Sequence, residues 1–213
     1  MRILGLTGSI AMGKSTATIM LRRLGILVYD SDAVVHALLI STAVQKIAEI
    51  FPDVIVHGKV DRLALGAKVF GDSFRLKQLE DVLHPLVLQA EKRFLQDAAI
   101  KRESLVVLDV PLLFETSTDR HCDAVAVVTA PPFLQTQRAM RRVGMTRQKL
   151  ESIRRHQMPE SEKRRRATFV VQTGLGCRFT LRSLLRIAET MRMRPAYHWP
   201  PRSLSNFLLQ VKR

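Results

Sequence analysis

The apolar residues of the chain fall into two kinds of stretch. Short unbroken runs cover residues 2–7, 26–29, 104–109, 124–128 and 169–171. Runs without polar alternation mark strands buried on both faces of a parallel sheet. Between them, apolar positions recur at helical spacing. Residues 15–24 put Ile19, Met20 and Leu24 on a helix that stops at Gly25. The pattern predicts further helices over 33–39, 42–51, 60–70, 74–98 (interrupted at Pro85) and 133–142. Another is broken by Gln157-Met158-Pro159, and the next opens at Glu160. Leu181, Leu184, Leu185, Ala188 and Met191 form one stripe at helical spacing, a core-packing face. Strands alternating with helices imply an α/β fold. About seventy residues, 33–102, hold no plausible sheet strand, which predicts a helical insert between the second and third strands.

The turn between the first strand and the first helix reads Gly8-Ser9-Ile10-Ala11-Met12-Gly13-Lys14-Ser15-Thr16. It matches G-x-x-x-x-G-K-[ST], the phosphate-binding loop of P-loop nucleotide enzymes. Successive backbone N–H groups curl around a phosphate where side chains leave room, so glycines frame the loop. Lys14 brings a positive charge to the β- and γ-phosphates, and the Ser15 hydroxyl can ligate Mg²⁺. The helix that follows turns its positive dipole end to the same anion. Strand, glycine loop and helix are the context the motif demands.

Acidic residues close two other strands. Asp30-Ser31-Asp32 follows the second strand, where open α/β sheets bind their ligands. Either aspartate also suits a helix N-cap. Asp109 ends the third strand at the Walker B position, whose carboxylate helps hold Mg²⁺. His84 lies in the helical insert, where a lone histidine is more often structural than functional. Residues 138–166 are dense in basic groups. Arg138 and Arg142 are four apart and so share a helix face, and two short basic helices near the phosphate end predict a lid.

Composition narrows the class. With 213 residues the chain suits one domain, or a core with an insert. Apolar content of 46% excludes a disordered chain. No apolar run reaches the roughly 18 residues that cross a bilayer, so no membrane partner is expected. The first residues lead straight into a strand rather than a signal segment. Cys122 and Cys177 lack metal-type spacing and suit free thiols in a reducing compartment, which predicts a cytoplasmic protein. The net charge of +15 implies anionic partners: nucleotides, phosphorylated metabolites or nucleic acid. Much of it lies in Lys163-Arg164-Arg165-Arg166 and in the arginines from Arg178 to Arg202. Nucleic acid is disfavoured, because aromatic content is 6% and no nucleic-acid motif is present. Residues 194–213 hold three prolines, the only Trp and no acid, and read as an appended basic tail.

Taken together, these residues resemble the dephospho-CoA kinase family. The resemblance rests on Gly5-Leu6-Thr7-Gly8 leading into Gly13-Lys14-Ser15-Thr16, and on Asp30 with Asp32. It rests further on Leu79-Glu80 with Leu83-His84-Pro85, and on Asp109-Val110-Pro111-Leu112-Leu113-Phe114-Glu115. Gln157-Met158-Pro159 with Lys163 completes it, over residues 1–190. The Asp109 to Glu115 string and Leu83-His84-Pro85 are the specific parts.

The resemblance implies a three-layer P-loop fold of the nucleoside-monophosphate-kinase kind, with a parallel sheet, a helical acceptor-binding insert and a helical lid. The core is then 1–32, 103–137 and 167–193, the insert 33–102 and the lid 138–166. It implies transfer of the ATP γ-phosphate to the ribose 3′-hydroxyl of dephospho-CoA, with Mg²⁺. On that reading Gly8, Ala11, Met12, Gly13, Lys14, Ser15, Thr16, Arg138 and Arg142 hold ATP. Ser15 and Asp109 hold the metal. Asp32 faces the acceptor hydroxyl, Lys14 and Arg138 offset charge in the transition state, and Asp30, Arg62 and His84 bind the acceptor. The chain departs from the family at Ser9, Ala11 and Met12, where glycines or a small residue are usual. Those positions are expected to keep φ < 0 or to bear strain. Thr168 stands for an acid, and Thr173 for an Asn. A kinase of another small acceptor, such as a nucleoside monophosphate, and a nucleic-acid-binding P-loop protein are the alternatives. The sequence sets no oligomeric state.

Overall fold

The computed structural model describes residues 1–69 and 71–200. The later part of the expected tail, 201–213, lies outside the described residues, as does Phe70 at the end of the helix expected over 60–70. The strands are β1 (Arg2–Thr7), β2 (Leu27–Asp30), β3 (Ile55–Val56), β4 (Lys59–Val60), β5 (Leu105–Asp109), β6 (Ala124–Thr129) and β7 (Phe169–Gln172). The helices are α1 (Lys14–Arg23), α2 (Ser31–Leu39), α3 (Val44–Ile50), α4 (Arg62–Val69), α5 (Ser73–Ile100), α6 (Pro132–Met140), α7 (Arg147–His156), α8 (Glu160–Arg166) and α9 (Cys177–Met193). Two compact units result, one of Met1–Tyr29 with the chain from Ala98 onward, the other Asp30–Asp97.

The first unit is built on a five-stranded sheet in the order β2-β5-β1-β6-β7. β1 runs parallel to β5, with Leu6 opposite Asp109, and parallel to β6, with Leu6 opposite Ala126. β6 runs parallel to β7. Every residue of β5 and β6 is buried, as the unbroken apolar runs require. Leu4, Leu6, Leu21, Val107, Val128, Leu184 and Met191 belong to one core cluster. Burying each such side chain stabilises the fold by about 1.5–3 kcal/mol. The ends of β1 and β5 therefore sit side by side, and the motif loop leaves from the middle of the sheet.

Beyond α9 the chain returns to the start of β1. Asp123 accepts hydrogen bonds from the N–H groups of Ile3 (2.7 Å), Tyr197 (2.7 Å) and His198 (3.2 Å). Burial pushes its carboxyl upward, but the N–H groups of Tyr197 and Ile3 hold it below the usual carboxylate range.

The second unit is helical, with α2–α4, most of α5 and the antiparallel β3–β4 hairpin. Leu39, Ile47, Phe51, Val54, Leu65 and Leu79 form its core.

Four expectations change. The 52–58 connection holds a short 3₁₀ turn and part of the β3–β4 hairpin, although neither strand joins the main sheet. Pro85 does not interrupt α5, which runs 28 residues through it. A helical proline costs about 3 kcal/mol. Leu79, Val82, Leu83 and Leu86, on both sides of it, pack into the same cluster and hold the helix together. α6 ends at Met140, so Arg142 lies in the turn beyond it and does not share a helix face with Arg138. The buried face of α9 is Thr180, Leu184, Ile187, Ala188 and Met191, whereas Leu185 is exposed. No single described helix is long and apolar enough to cross a membrane.

Candidate active site

The loop from Gly8 to Ser15 joins β1 to α1, and two contacts shape its ends. A Cβ at Gly8 would lie 2.4 Å from Val128 Cγ2, so glycine lets the chain pass against β6. Gly13 has φ 98, and a Cβ there would meet Thr173 Oγ1 at 2.9 Å. Between them, Met12 N–H closes a turn on Ser9 O (3.1 Å), and the Met12 side chain is buried in the core. Ala11 has φ 60. Of the alternatives expected for this position, the chain takes strain, worth roughly 1–3 kcal/mol for a residue with a Cβ. Its methyl is buried with Ala139 and Leu150. The N–H groups of Ala11, Gly13, Lys14 and Ser15 donate to no acceptor among the described residues. Neither does the Ser15 hydroxyl have a partner among them. α1 has no acid in its first turn to offset its positive end. Unpaired donors around a positive helix end form an anion site.

Lys14 Nζ lies 2.7 Å from Asp109 Oδ1, and the Asp109 side chain is only 2% exposed. Thr18, one turn along α1, places its hydroxyl 2.6 Å from Asp109 Oδ2. The pairing of β1 with β5 brings these groups together. Across the loop, Arg138 on α6 donates to Thr173 twice, from Nη1 to Oγ1 and from Nη2 to the carbonyl, each at 3.0 Å. Thr173 Oγ1 itself donates to Met12 O at 2.5 Å. Gly13, Thr16, Leu134, Arg138, Thr173 and Gly174 line part of a cavity of about 310 Å³. Arg142 is exposed and its side chain makes no hydrogen bond or ion pair among the described residues.

Beside the loop two of the strings behind the family resemblance meet, Asp109 to Glu115 and Gln157-Met158-Pro159 with Lys163. Glu115 accepts from Met158 N–H (2.8 Å) and forms an ion pair with Lys163, whose Nζ is 2.9 Å from Glu115 Oε1. Lys163 is fully buried. Burial pushes the Glu115 carboxyl upward, but Met158 N–H and Lys163 hold it below the usual range. Gln157, next in the chain, accepts from Ile10 N–H at 3.0 Å. Ser9 Oγ donates to Glu160 Oε2 at 3.1 Å. Thr168, the other departure from the family, pairs with β6: its N–H donates to Val125 O, and its hydroxyl accepts from Val125 N–H.

Asp30, Asp32, Arg62 and His84 belong to the second unit. Asp30 caps α2, accepting from Ala33 N–H at 3.1 Å. Asp32 is exposed in the first turn of that helix. Arg62 Nη1 stands 2.8 Å from His36 Nδ1. His84 is exposed on α5. Thr18, Gln135, Gln157 and Thr173 are absent from the sequence-based site. Gln157 carried a signal as part of the Gln157-Met158-Pro159 string, and Thr173 as a departure from the family; Thr18 and Gln135 carried none.

A parallel sheet, a phosphate loop between β1 and α1, and a strand-ending acid paired with the loop lysine define a P-loop kinase. A protein-family model described as dephospho-CoA kinase matches residues 2–176, and the chain belongs to that family. It is similar to the dephospho-CoA kinase of Paramagnetospirillum magneticum, 57% identical over 166 residues, covering 77% of this chain and 78% of the relative. Against the dephospho-CoA kinase of Rhodospirillum rubrum it is 51% identical over 201 residues, covering 92% and 94%. Among solved structures it is similar to TT1252 from Thermus thermophilus, with 36% identity, a TM-score of 0.79 and coverage of 91% and 98%. A dephospho-CoA kinase from Campylobacter jejuni shares the fold, with 22% identity, a TM-score of 0.62 and coverage of 89% and 97%.

Proposed function

We propose that the protein phosphorylates the ribose 3′-hydroxyl of dephospho-CoA with ATP, giving coenzyme A in the final step of its biosynthesis. The reaction runs in the cytoplasm with Mg²⁺. The observation that carries this reading is the Glu115–Lys163 contact, which joins two of the family strings beside the phosphate loop. Family membership supports the choice of substrates.

Phosphoryl transfer asks a protein mainly for positioning and charge neutralisation. The unpaired N–H groups of the loop and the positive end of α1 take the ATP phosphates. Lys14 leaves Asp109 for the phosphates when nucleotide binds. Arg138 moves its charge from Thr173 to the transferring group, and Arg142 joins it as residues 138–166 close. Ser15 and Asp109 would hold Mg²⁺; one hydroxyl and one carboxylate are hard oxygen donors in the number expected where nucleotide phosphates supply the rest. When bound, Mg²⁺ neutralises charge on the β- and γ-phosphates. Asp32 accepts the proton of the acceptor hydroxyl, while Asp30 is engaged in capping α2. Arg62 and His84 bind the acceptor.

A coupled assay for ADP release tests the reading, with dephospho-CoA, nucleoside monophosphates and no acceptor compared at fixed ATP. Release is expected with dephospho-CoA alone. Release at the acceptor-free rate would overturn it, and release with a monophosphate would move the enzyme to another acceptor.

A further inference from the structure

Nothing in the chemistry above explains how the strained crest of the phosphate loop is held. Two glutamines grip the peptides on either side of Ile10. Gln157 Oε1 accepts the Ile10 N–H at 3.0 Å, and Gln135 Nε2 donates to the Ile10 carbonyl at 2.9 Å. Gln135 is 5% exposed. Its amide orientation is fixed, because Arg154 Nη2 donates to Gln135 Oε1 at 2.6 Å and leaves the NH₂ side for Ile10. The Ile10 carbonyl lies in the same peptide plane as the Ala11 nitrogen. With the far side of Ala11 held by its buried methyl and by the Met12 N–H bond to Ser9 O, holding that plane fixes the rotation about the Ala11 N–Cα bond, whose φ is 60. Side chains disfavour this region, and strained residues persist where the surroundings over-determine them.

We infer that Gln135 and Gln157 are positioning residues of the phosphate loop, holding Ala11 in the left-handed conformation that leaves the loop N–H groups free for nucleotide phosphate. The inference rests on the proposed nucleotide-binding role of residues 8–16. Without the two amides, a loop with alanine at position 11 relaxes away from φ 60. Apparent nucleotide affinity then falls with the fraction of loop that stays competent. Glycine adopts φ > 0 without penalty. In the Ala11→Gly background the amides therefore matter less.

The test is a double-mutant cycle. Gln157→Met and Gln135→Met are made in the natural chain and in the Ala11→Gly background, keeping side-chain length while removing the amide. ATPγS affinity is measured by calorimetry, and the KM for dephospho-CoA at saturating ATP. Each Met variant is expected to weaken ATPγS binding about tenfold in the natural chain and less than about threefold in the Ala11→Gly background. The KM for dephospho-CoA should stay within about twofold in all of them. Equal losses in the two backgrounds, no loss at all, or a parallel rise in the dephospho-CoA KM would overturn the inference. Gln135→Met also leaves Arg154 with Thr136 alone; should that variant not fold, Gln157→Met decides alone. A natural chain that fails to bind ATPγS overturns the proposed function and this inference with it. A natural chain that binds, with Met variants that bind as well, overturns this inference only.

Discussion

Lys14 and Asp109 are joined before any nucleotide arrives, and that changes what a lysine variant reports. Removing Lys14 takes the cation from a carboxylate that is 2% exposed, although the Thr18 hydroxyl still reaches it. Breaking a buried pair in this way costs about 3–5 kcal/mol. Lys14→Met is expected to lose both turnover and stability, while Lys14→Met combined with Asp109→Asn regains most of the stability and no turnover. Denaturant midpoints alongside the ADP assay check this; a Lys14→Met chain as stable as the natural one would contradict it. Asp32 is exposed and carries no such structural load. Asp32→Asn should lower kcat by roughly 10²–10⁴ with ATP affinity unchanged. Asp30→Ala, removing a cap, should cost about 0.5–2 kcal/mol of stability. The reverse pattern would exchange the two roles. Lys14 and Asp109 are each legible in the sequence, one as a motif lysine and one as a strand-ending acid. Their contact is not, since it depends on β5 lying beside β1. Thr18 and Gln135 are illegible for a similar reason, and Thr173 is legible as a family departure but not through its contacts. A neutral polar side chain has many possible partners, and only the folded neighbourhood selects one.

Among the elements, α7 has a slight hold on the core. Leu150 is its single buried residue, and Arg154 ties it to α6 through Gln135 and Thr136. Segments with few buried contacts open first. If residues 138–166 form a lid, their amide protons should exchange more slowly with an ATP analogue than without one. Equal exchange would count against a lid. α8 is anchored differently, through Lys163 and Glu115. The Glu115 carboxyl is held below its unfolded value of about 4.3. A depressed folded value means that the stabilisation is complete above about pH 4.3 and fades as pH falls through the lower folded value. Glu115→Gln should therefore be less stable than the natural chain at pH 7, with the gap narrowing below about pH 4. A gap that stays constant from pH 7 to pH 3 would show that the charge is not what matters. Element positions are largely legible from the apolar runs, because β5 and β6 are buried along their whole length. The errors arise where packing overrides a local rule, as at Pro85 in α5 and Leu185 on α9.

At the scale of the molecule, the +15 charge invites a nucleic-acid reading that the site does not support. Mobility of RNA or duplex DNA is expected to be unchanged by the protein at about 150 mM salt. A retarded band with steep salt dependence would revive that reading. The order of the sheet, β2-β5-β1-β6-β7, cannot be read from periodicity, which gives strands but no neighbours. That order bears on how the protein is made. The strand that opens the chain is the middle of the sheet, and its partners begin at Leu105 and Ala124. A ribosome adding about 5–20 residues per second reaches the first partner roughly 5–20 s after β1. Through that interval the nascent chain carries an apolar strand with both edges bare, the kind of segment that pairs with strangers. Thr173, which pins Met12, is made later still. A chain released before Leu105 is made has no partner for either edge of that strand, which a chaperone must then shield or a protease clear.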